Sequence, residues 1–153
     1  MSRVEERIKA LGLELPEPPS PMANYVTAQR SGSQLFFSGA GPFRDKKPAV
    51  FGKVGKDLTL EEGYQAARLT GLNLISQIKN EVEDLDRVRI IKVLAFVASD
   101  PEFMRQPDVM NGVSDLFAEV FGEKGKHARS AVAVPQLPFN IPIEVEIIVE
   151  IEE

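Results

Sequence analysis

The sequence has no cysteine and a single histidine, His127, and these shortages narrow the chemistry open to it. Without cysteine there is no disulfide, no thiol nucleophile and no thiolate metal site. One histidine excludes a histidine-rich metal centre, and a hydrolytic triad would depend on His127 alone. The catalytic groups that remain are carboxylates, Arg, Lys, Tyr, hydroxyls and the backbone.

Long apolar runs and clusters of basic residues are also missing. Charges or prolines interrupt every apolar stretch before it reaches the length of a membrane span. Residues 1–7 contain no apolar signal core, which favours a cytoplasmic protein. The chain has 18 Lys and Arg against 23 Asp and Glu, for a net charge of −5. The pattern therefore argues against a membrane protein and against a dedicated nucleic-acid binder.

The 153 residues are enough for one domain with a sizeable core. Val4, Ile8 and Leu11 have helical spacing, and Gly12 is a plausible stop. Four prolines between residues 16 and 21 then predict an extended connector. We interpret residues 1–22 as an N-terminal arm that lies on a single domain formed by residues 23–153.

The remaining pattern predicts the element order β-β-β-α-β-α-β-β. Ser31-Gly32 between two β-rich runs indicates a hairpin. A capping box, Thr59 with Glu62, starts the first main helix, and Gly122 is the expected C-cap of the second. The predicted strands are 24–30, 33–38, about 49–51, 88–98, 129–134 and 143–151, and the main helices run from about 59 to 83 and from 108 to 121. Two helices covering one face of a single sheet make an α+β fold.

The lead candidates for chemistry are Arg129 and Glu144. A guanidinium is a planar fork that matches a carboxylate with two parallel hydrogen bonds. Arg129 opens one strand and Glu144 lies near the start of the next. If these strands pair as a hairpin, or meet across a subunit boundary, the two side chains face one cavity. The alternative is an exposed arginine and a solvated acidic sheet face.

Weaker candidates each have an ordinary structural explanation. The backbone of Ser38-Gly39-Ala40-Gly41 has room to approach a ligand oxygen, or it forms a tight turn. Tyr25 caps a pocket or is a routine strand aromatic. Asn111 lies near the first turn of a helix and is explained equally well as an ordinary helix-end residue or as a binding residue. His127 in a loop is more often solvated than catalytic.

Several segments together resemble the reactive intermediate/imine deaminase family, Rid/YjgF, also catalogued as endoribonuclease L-PSP. The most specific is His127-Ala128-Arg129-Ser130-Ala131-Val132-Ala133-Val134, followed by Leu137-Pro138 and Ile143-Glu144-Val145-Glu146. Supporting matches are Tyr25-Val26, Phe37-Ser38-Gly39 with Pro42, and Asn111 before Phe117. The resemblance covers the chain from about Tyr25 onward.

This resemblance implies a chorismate-mutase-like fold and a homotrimer with sites in clefts between subunits. It implies hydrolysis of a small 2-imino acid or its enamine, such as 2-aminoacrylate or 2-iminopropanoate, to the 2-keto acid and ammonia, with no cofactor and no metal. Arg129 would clamp the substrate carboxylate and Glu144 would position the water. The expected substrate-binding residues are Tyr25, Ser38, Gly39, Asn111, Phe117 and Ala131.

The chain departs from the family pattern at several positions. Ala131 stands where many members have Cys, and Ala40 where Gln is usual. The N-terminal arm and the stretch 44–56 indicate a longer subgroup. Two other functions stay open: a non-catalytic module that binds a small carboxylate as a sensor, and a ribonuclease. The ribonuclease is disfavoured by the acidic charge and the lack of a second histidine.

Overall fold

The computed structural model describes residues 1–18 and 20–153. Pro19, one of the four prolines of the predicted connector, lies outside the described residues. The elements are α1 (Arg3–Ala10), β1 (Ala28–Ser31), β2 (Gln34–Phe37), β3 (Phe43–Arg44), β4 (Lys47–Pro48), α2 (Leu60–Glu81), β5 (Val88–Ala98), α3 (Gln106–Phe121), β6 (Ala128–Val134) and β7 (Ile143–Ile151), with 3-10 turns at Leu85–Arg87, Gly122–Gly125 and Pro138–Asn140.

The main sheet has five strands in the order β1-β2-β7-β5-β6. Its first four strands are antiparallel neighbours, and β6 runs parallel to β5. A parallel neighbour requires a crossover connection, which α3 supplies. The predicted α+β class, with two main helices on one face of the sheet, is confirmed.

The core lies between the sheet and helices α2 and α3. On β7, Ile143, Val145, Ile147 and Val149 are at most 2% exposed and face the helices. The residues between them, Glu144, Glu146 and Ile148, point to the opposite face, since successive side chains of a strand alternate. That face of the sheet carries no helix within the described residues. The predicted alternation of the last strand is therefore confirmed.

The predicted helix signals are also present. The hydroxyl of Thr59 accepts from Glu62 N at 3.1 Å, and the Glu62 carboxylate accepts from Thr59 N at 3.1 Å. Gly122, with φ of 64°, ends α3. A Cβ at Gly112 of α3 would lie 2.2 Å from the Tyr64 carbonyl oxygen, so only glycine permits this approach of the two helices.

The N-terminal arm lies against the rest of the chain. Val4 and Ile8 of α1 are buried in the main core. The Asp86 carboxylate accepts from Arg3 N at 2.9 Å and Val4 N at 3.0 Å. Farther along, the hydroxyl of Ser76 on α2 donates to the Pro16 carbonyl. The boundary at residue 22 stays a prediction.

No helix in the described ranges combines the length and apolar character needed to cross a membrane.

Two predicted strands are misplaced. The first begins at Ala28 and not at residue 24. The third is not at 49–51, because the chain forms the short hairpin of β3 and β4 instead, which turns through Asp45 and Lys46 at φ of 49° and 62°. Of the two arrangements left open for Arg129 and Glu144, a hairpin of β6 and β7 is excluded, because β5 lies between these strands and pairs with both. The long apolar β5 can be hydrogen-bonded on both edges, so neighbours in the chain are not neighbours in the sheet.

Candidate functional site

Arg129 lies on β6, the edge strand of the sheet. It pairs in register with Val93, which is fully buried, so its side chain is on the helix side. There Arg129 Nη1 donates to Asn111 Oδ1 at 3.0 Å and to Ser114 Oγ at 3.1 Å. Asn111 and Ser114 are three residues apart on α3 and therefore share a helix face. Two bonds from a cation, each stabilising by about 1.5–3 kcal/mol, hold the half-buried guanidinium in one orientation.

His127 extends this hydrogen-bonded chain. Its Nδ1 is 2.6 Å from the Gly125 carbonyl oxygen and its Nε2 is 2.9 Å from Ser114 Oγ. A carbonyl only accepts, so Nδ1 carries the proton and Nε2 accepts from the Ser114 hydroxyl. The Ser114 oxygen then has its lone pairs free to accept from Arg129.

The environment of His127 keeps the ring neutral. Burial lowers its pKa below the ordinary 6.5, and the nearby Arg129 charge lowers it further, against the opposing hydrogen bond to Gly125. The ring also contacts Phe117 edge-on, with ring centroids 5.9 Å apart. A neutral ring with both nitrogens engaged orients Ser114 and is not free to act as a general base.

Glu144 lies on the opposite face of the sheet, near the start of β7. Burial raises the pKa of its carboxyl, and the neighbouring Glu146 charge raises it further. A Cβ at residue 39 would lie 3.0 Å from Glu144 Cδ, so Gly39 lets the backbone come close to the carboxyl. Reciprocal bonds between Ala40 and Val145, at 2.8 and 2.9 Å, fix this contact. Across the described ranges, Glu144 makes no side-chain hydrogen bond or ion pair.

A cavity of about 450 Å³ opens beside Glu144. It reaches from the Gly39–Gly41 segment to α2, and the arm and the turn before β7 provide further walls. The ring of Phe139 is half exposed there, on a backbone with φ of 60°. The lining residues are Ser20, Pro21, Met22, Tyr25, Thr27, Ser38, Gly39, Ala40, Gly41, Phe43, Lys46, Asn73, Gln77, Pro138, Phe139, Ile141 and Glu144.

Two buried amides of α2 face this region. Asn73 and Gln77 are 1% and 4% exposed and line the cavity. Asn73 Nδ2 donates to the carbonyls of Gly41 at 3.2 Å and Phe43 at 2.9 Å, which holds the loop after β2 to the helix. The carbonyl oxygens of both amides have no hydrogen-bond partner among residues 1–18 and 20–153. A buried acceptor without a donor costs about 1–3 kcal/mol.

One chain does not bring Arg129 and Glu144 together. Arg129 is level with Val93 of β5 and Glu144 is level with Phe96, on strands to either side of β5. Three residues along the strand and two strand spacings separate their backbones by about 14 Å. The side chains also leave opposite faces of the sheet. A shared cavity within one chain, which a hairpin would have provided, is excluded.

The predicted binding residues fall into three places. Tyr25, Ser38 and Gly39 line the cavity with Glu144. Asn111 holds Arg129 on the helix face of the sheet, opposite to the face of Glu144. Ala131 follows Arg129 along β6 in a half-buried position. Phe117 is fully buried in the core, so the expectation that it lines a cleft is corrected: it packs against His127. The hydroxyl of Ser38 donates to the Val26 carbonyl at 2.6 Å and so positions the Tyr25 segment.

Sequence reasoning missed several residues of this region. Asn73 and Gln77 had a usable signal, since two amides at i and i+4 on an otherwise apolar stretch are uncommon in a buried helix. Ser114 had a weaker one, its spacing of three from Asn111. Phe139 had no signal in the sequence, because its place in the cavity depends on the turn between β6 and β7.

No cluster of His, Asp or Glu suited to a metal ion occurs in the part of the chain that the structure describes.

Comparison with known proteins agrees with this arrangement. A family model for YjgF/chorismate mutase-like endoribonucleases matches residues 5–151. The chain belongs to this YjgF family. It is 45% identical over 151 residues to Protein TCP17 of Trypanosoma cruzi, covering 97% of this chain and 94% of the relative.

Two solved structures share the fold of this chain. A protein of Shewanella oneidensis named as an endoribonuclease superposes with a TM-score of 0.95 at 36% identity, covering 98% of this chain and all of its own. The protein Atu1372 of Agrobacterium tumefaciens, described as of unknown function, superposes with a TM-score of 0.91 at 43% identity. The match covers 99% of this chain and 93% of Atu1372. The resemblance to the YjgF family and the chorismate-mutase-like fold are therefore confirmed.

Proposed function

We propose that this protein is an imine deaminase, which hydrolyses small 2-imino acids or their enamine tautomers to 2-keto acids and ammonia. 2-Aminoacrylate and 2-iminopropanoate are the simplest substrates of this class. The site combines Arg129 of one copy with Glu144 of a neighbouring copy in a homotrimer. The main support is that a preorganised guanidinium and a carboxyl with a raised pKa lie on opposite faces of one sheet, each at a surface that another copy can reach.

Arg129 has the geometry of a carboxylate clamp. Its bonds to Asn111 and Ser114 both use Nη1. Within the described residues, Nε and Nη2 donate to nothing, so one edge of the planar fork is free for two parallel bonds to a carboxylate. Because α3 holds the guanidinium before the substrate arrives, little side-chain entropy is lost on binding.

Glu144 has the environment of a group that exchanges a proton with water. In the reaction, a water oxygen bonds to the imine carbon as one proton leaves to Glu144, and the C=N electron pair moves to nitrogen, which takes that proton from Glu144. In the resulting carbinolamine, the hydroxyl proton passes by way of Glu144 to the nitrogen, the C–N bond breaks with its electron pair on nitrogen, ammonia leaves and the C=O bond forms. One water is consumed and nothing is oxidised or reduced. A carboxyl with a raised pKa is closer to the operating pH and suits both transfers.

The ribonuclease in the family's name fits this chain less well. The chain's one histidine is engaged by Ser114 and Gly125, and burial lowers its pKa.

The face of the sheet that carries no helix supports assembly with further copies of the chain. Two apolar side chains on this face, Phe36 and Val132, are 42% and 46% exposed. Cytoplasmic location stays a prediction.

The direct test follows ammonia release from imines generated in the assay by an amino-acid oxidase. Wild-type protein is expected to accelerate release, and Arg129→Ala and Glu144→Gln are each expected to abolish the acceleration. Tight binding of 2-keto acids by the wild type without turnover would replace the enzyme by a binding module. No binding and no turnover would reject the site.

Subunit mixing tests whether two copies share the site. Arg129→Ala and Glu144→Gln chains, co-expressed in equal amounts, are expected to recover about a quarter of wild-type activity, because random trimers contain some interfaces with both native residues. Co-expression of Arg129→Ala with the double variant is the control and should recover none. Absence of recovery in mixed trimers, or a monomer by light scattering, would contradict the shared site.

A further inference from the structure

The backbone of Phe139, in the turn before β7, is strained. Its φ of 60° lies in the left-handed region, which bulky residues rarely adopt, and Asn140 follows at φ of 56°. Hydrogen bonds from both sides hold the turn in this shape: Asn140 N donates to the Leu137 carbonyl at 3.2 Å, and the Asn140 carbonyl accepts from Gly52 N at 2.8 Å. Glycine would adopt this backbone without strain, so folding alone does not account for a phenylalanine here.

The strained turn places apolar surface in the cavity beside Glu144. Phe139 is 52% exposed and Met22 of the N-terminal arm is 72% exposed, and both line this cavity. A ligand that covers these side chains removes their apolar surface from water, which favours binding. The volume of about 450 Å³ lies within the range of pockets that take ligands of drug size, so it leaves room for a side chain larger than a methyl group.

The charges around the cavity favour an apolar side chain over an acidic one. Of the described residues, the charged ones that line the cavity are Glu144 and Lys46. Lys46 already has a partner, because its ammonium nitrogen lies 3.5 Å from the Glu17 carboxylate. Glu144, when ionised, would repel a second carboxylate on the substrate.

We propose that Phe139 and Met22 form an apolar specificity subsite, which favours imino acids with a branched or aromatic hydrocarbon side chain over the imino acid of alanine. That the ligand is an imino acid rests on the proposed function; that the subsite binds an apolar side chain does not. In the bound state, the substrate's side chain covers Phe139 and Met22 while its imine carbon lies beside Glu144.

The test compares stable 2-keto acids, so that binding is measured without turnover. 4-Methyl-2-oxopentanoate carries three carbons more than pyruvate, and each fully buried methylene tightens binding about fourfold. By calorimetry, the wild type is expected to bind 4-methyl-2-oxopentanoate about tenfold or more tightly than pyruvate. Equal binding of the two, or tighter binding of 2-oxoglutarate, which carries a second carboxylate, would overturn the proposal.

Phe139→Asn removes the ring at a backbone conformation that asparagine adopts more readily than phenylalanine. The variant should therefore have an unchanged or higher urea midpoint, and it should lose most of the preference for 4-methyl-2-oxopentanoate. Phe139→Leu keeps an apolar side chain and should retain most of that preference. A lower urea midpoint of Phe139→Asn with an unchanged preference would show that the ring is only structural, and would overturn the proposal.

A matched control lies at another exposed aromatic residue. Phe51 is 54% exposed and is not among the residues that line the cavity, so Phe51→Asn should leave the preference unchanged. Met22→Gln, which keeps the side-chain length and removes its apolar end, should weaken the preference. Equal effects of the substitutions at residues 51 and 139 would overturn the subsite. Dissociation of Phe139→Asn by light scattering would do the same, because it would assign the ring to a contact between copies.

The two proposals can fail separately. If the imines of alanine and leucine are hydrolysed with equal kcat/KM and Phe139→Asn changes neither, the deaminase stands and the subsite falls. If no imine is hydrolysed but the preference for 4-methyl-2-oxopentanoate depends on Phe139, the subsite stands and the deaminase falls.

Discussion

The Arg129 side of the sheet and the Glu144 side differ in how completely their polar groups are bonded. Around Arg129 an unbroken chain of hydrogen bonds runs through Ser114 and His127 to the Gly125 carbonyl. Around Glu144 the described residues leave the carboxyl, which lines the cavity, and the buried oxygens of Asn73 and Gln77 without donors. A bonded chain holds a side chain ready for a ligand, whereas a carboxyl that lines a cavity without a donor can still accept a bond from a ligand.

In the proposed deaminase, this difference gives the two sides separate tasks. The arginine side is rigid before binding, so substitutions there should weaken the capture of the substrate. The glutamate side keeps a carboxyl in an environment that disfavours its charge, which costs stability and favours proton exchange. Substitutions there should slow the chemical step and make the fold more stable.

The largest effect is expected from Arg129→Lys, which keeps the charge and removes the planar fork. Loss of two parallel charged bonds should lower kcat/KM for an imino acid by about 10²–10³-fold. The steady-state rate of ammonia release measures it. Arg30→Lys is the control, at an exposed arginine of β1 whose side chain donates to the Gly32 carbonyl. Activity within threefold of wild type in Arg129→Lys would show that charge alone is enough.

The next effect is expected from Glu144→Gln, which should lower kcat by about 10²-fold with little change in KM. In the proposed mechanism the carboxylate is the active form. Because the pKa of Glu144 is raised, wild-type activity should climb with pH in a range above the ordinary value of 4.5. The variant should show no such climb. A similar climb in Glu144→Gln would assign the pH dependence to another group.

Glu144 also links activity to stability. Its pKa is higher in the folded chain than in the unfolded one, so its contribution to stability is greatest at low pH and is lost as pH rises. Relative to wild type, Glu144→Gln should therefore resist urea better at pH 7 than at pH 4. An equal urea midpoint difference at both pH values would contradict the shifted pKa.

A smaller effect is expected from Ser114→Ala, which breaks the hydrogen-bonded chain next to Arg129. With one of its two anchors removed, the guanidinium should bind the substrate carboxylate about tenfold more weakly, seen as a higher KM with kcat nearly unchanged. Ser114→Thr retains the hydroxyl and should restore the KM. A fall in kcat alone would contradict a role in positioning Arg129.

The smallest effect is expected from His127→Gln, at about 1 kcal/mol of unfolding free energy, through loss of the edge contact with Phe117. The pKa of His127 is lowered on folding, so its stabilising contribution is present above 6.5 and is lost as pH falls through the lowered value. Urea unfolding of wild type and variant at pH 7.5 and pH 5 measures this. The unfolding free energies of wild type and variant should differ less at pH 5 than at pH 7.5. An equal difference at both pH values would contradict the lowered pKa of His127.

Local signals in the sequence predicted local structure well. The alternation of 143–151 and the capping box at Thr59 depend on residues close in the chain, and both are present. The neighbour of β6 stayed open, because two strands that follow each other in the chain can form a hairpin or separate around a third, and nothing local to Arg129 distinguishes these. The hydrogen bond between Asn111 and Arg129 was not predicted for the same reason: the two residues are 18 apart in the chain.

By itself, the sequence determined the element types, the α+β class and the shortage of catalytic groups, and its resemblance to the Rid/YjgF family singled out Arg129 and Glu144. Tertiary structure alone decided that these two residues lie on opposite faces of one sheet, that His127 orients Ser114, and that Asn73 and Gln77 line a cavity. The physical reason is range: periodicity and capping act over a few residues, whereas strand order and cavity walls follow from packing between segments far apart in the chain.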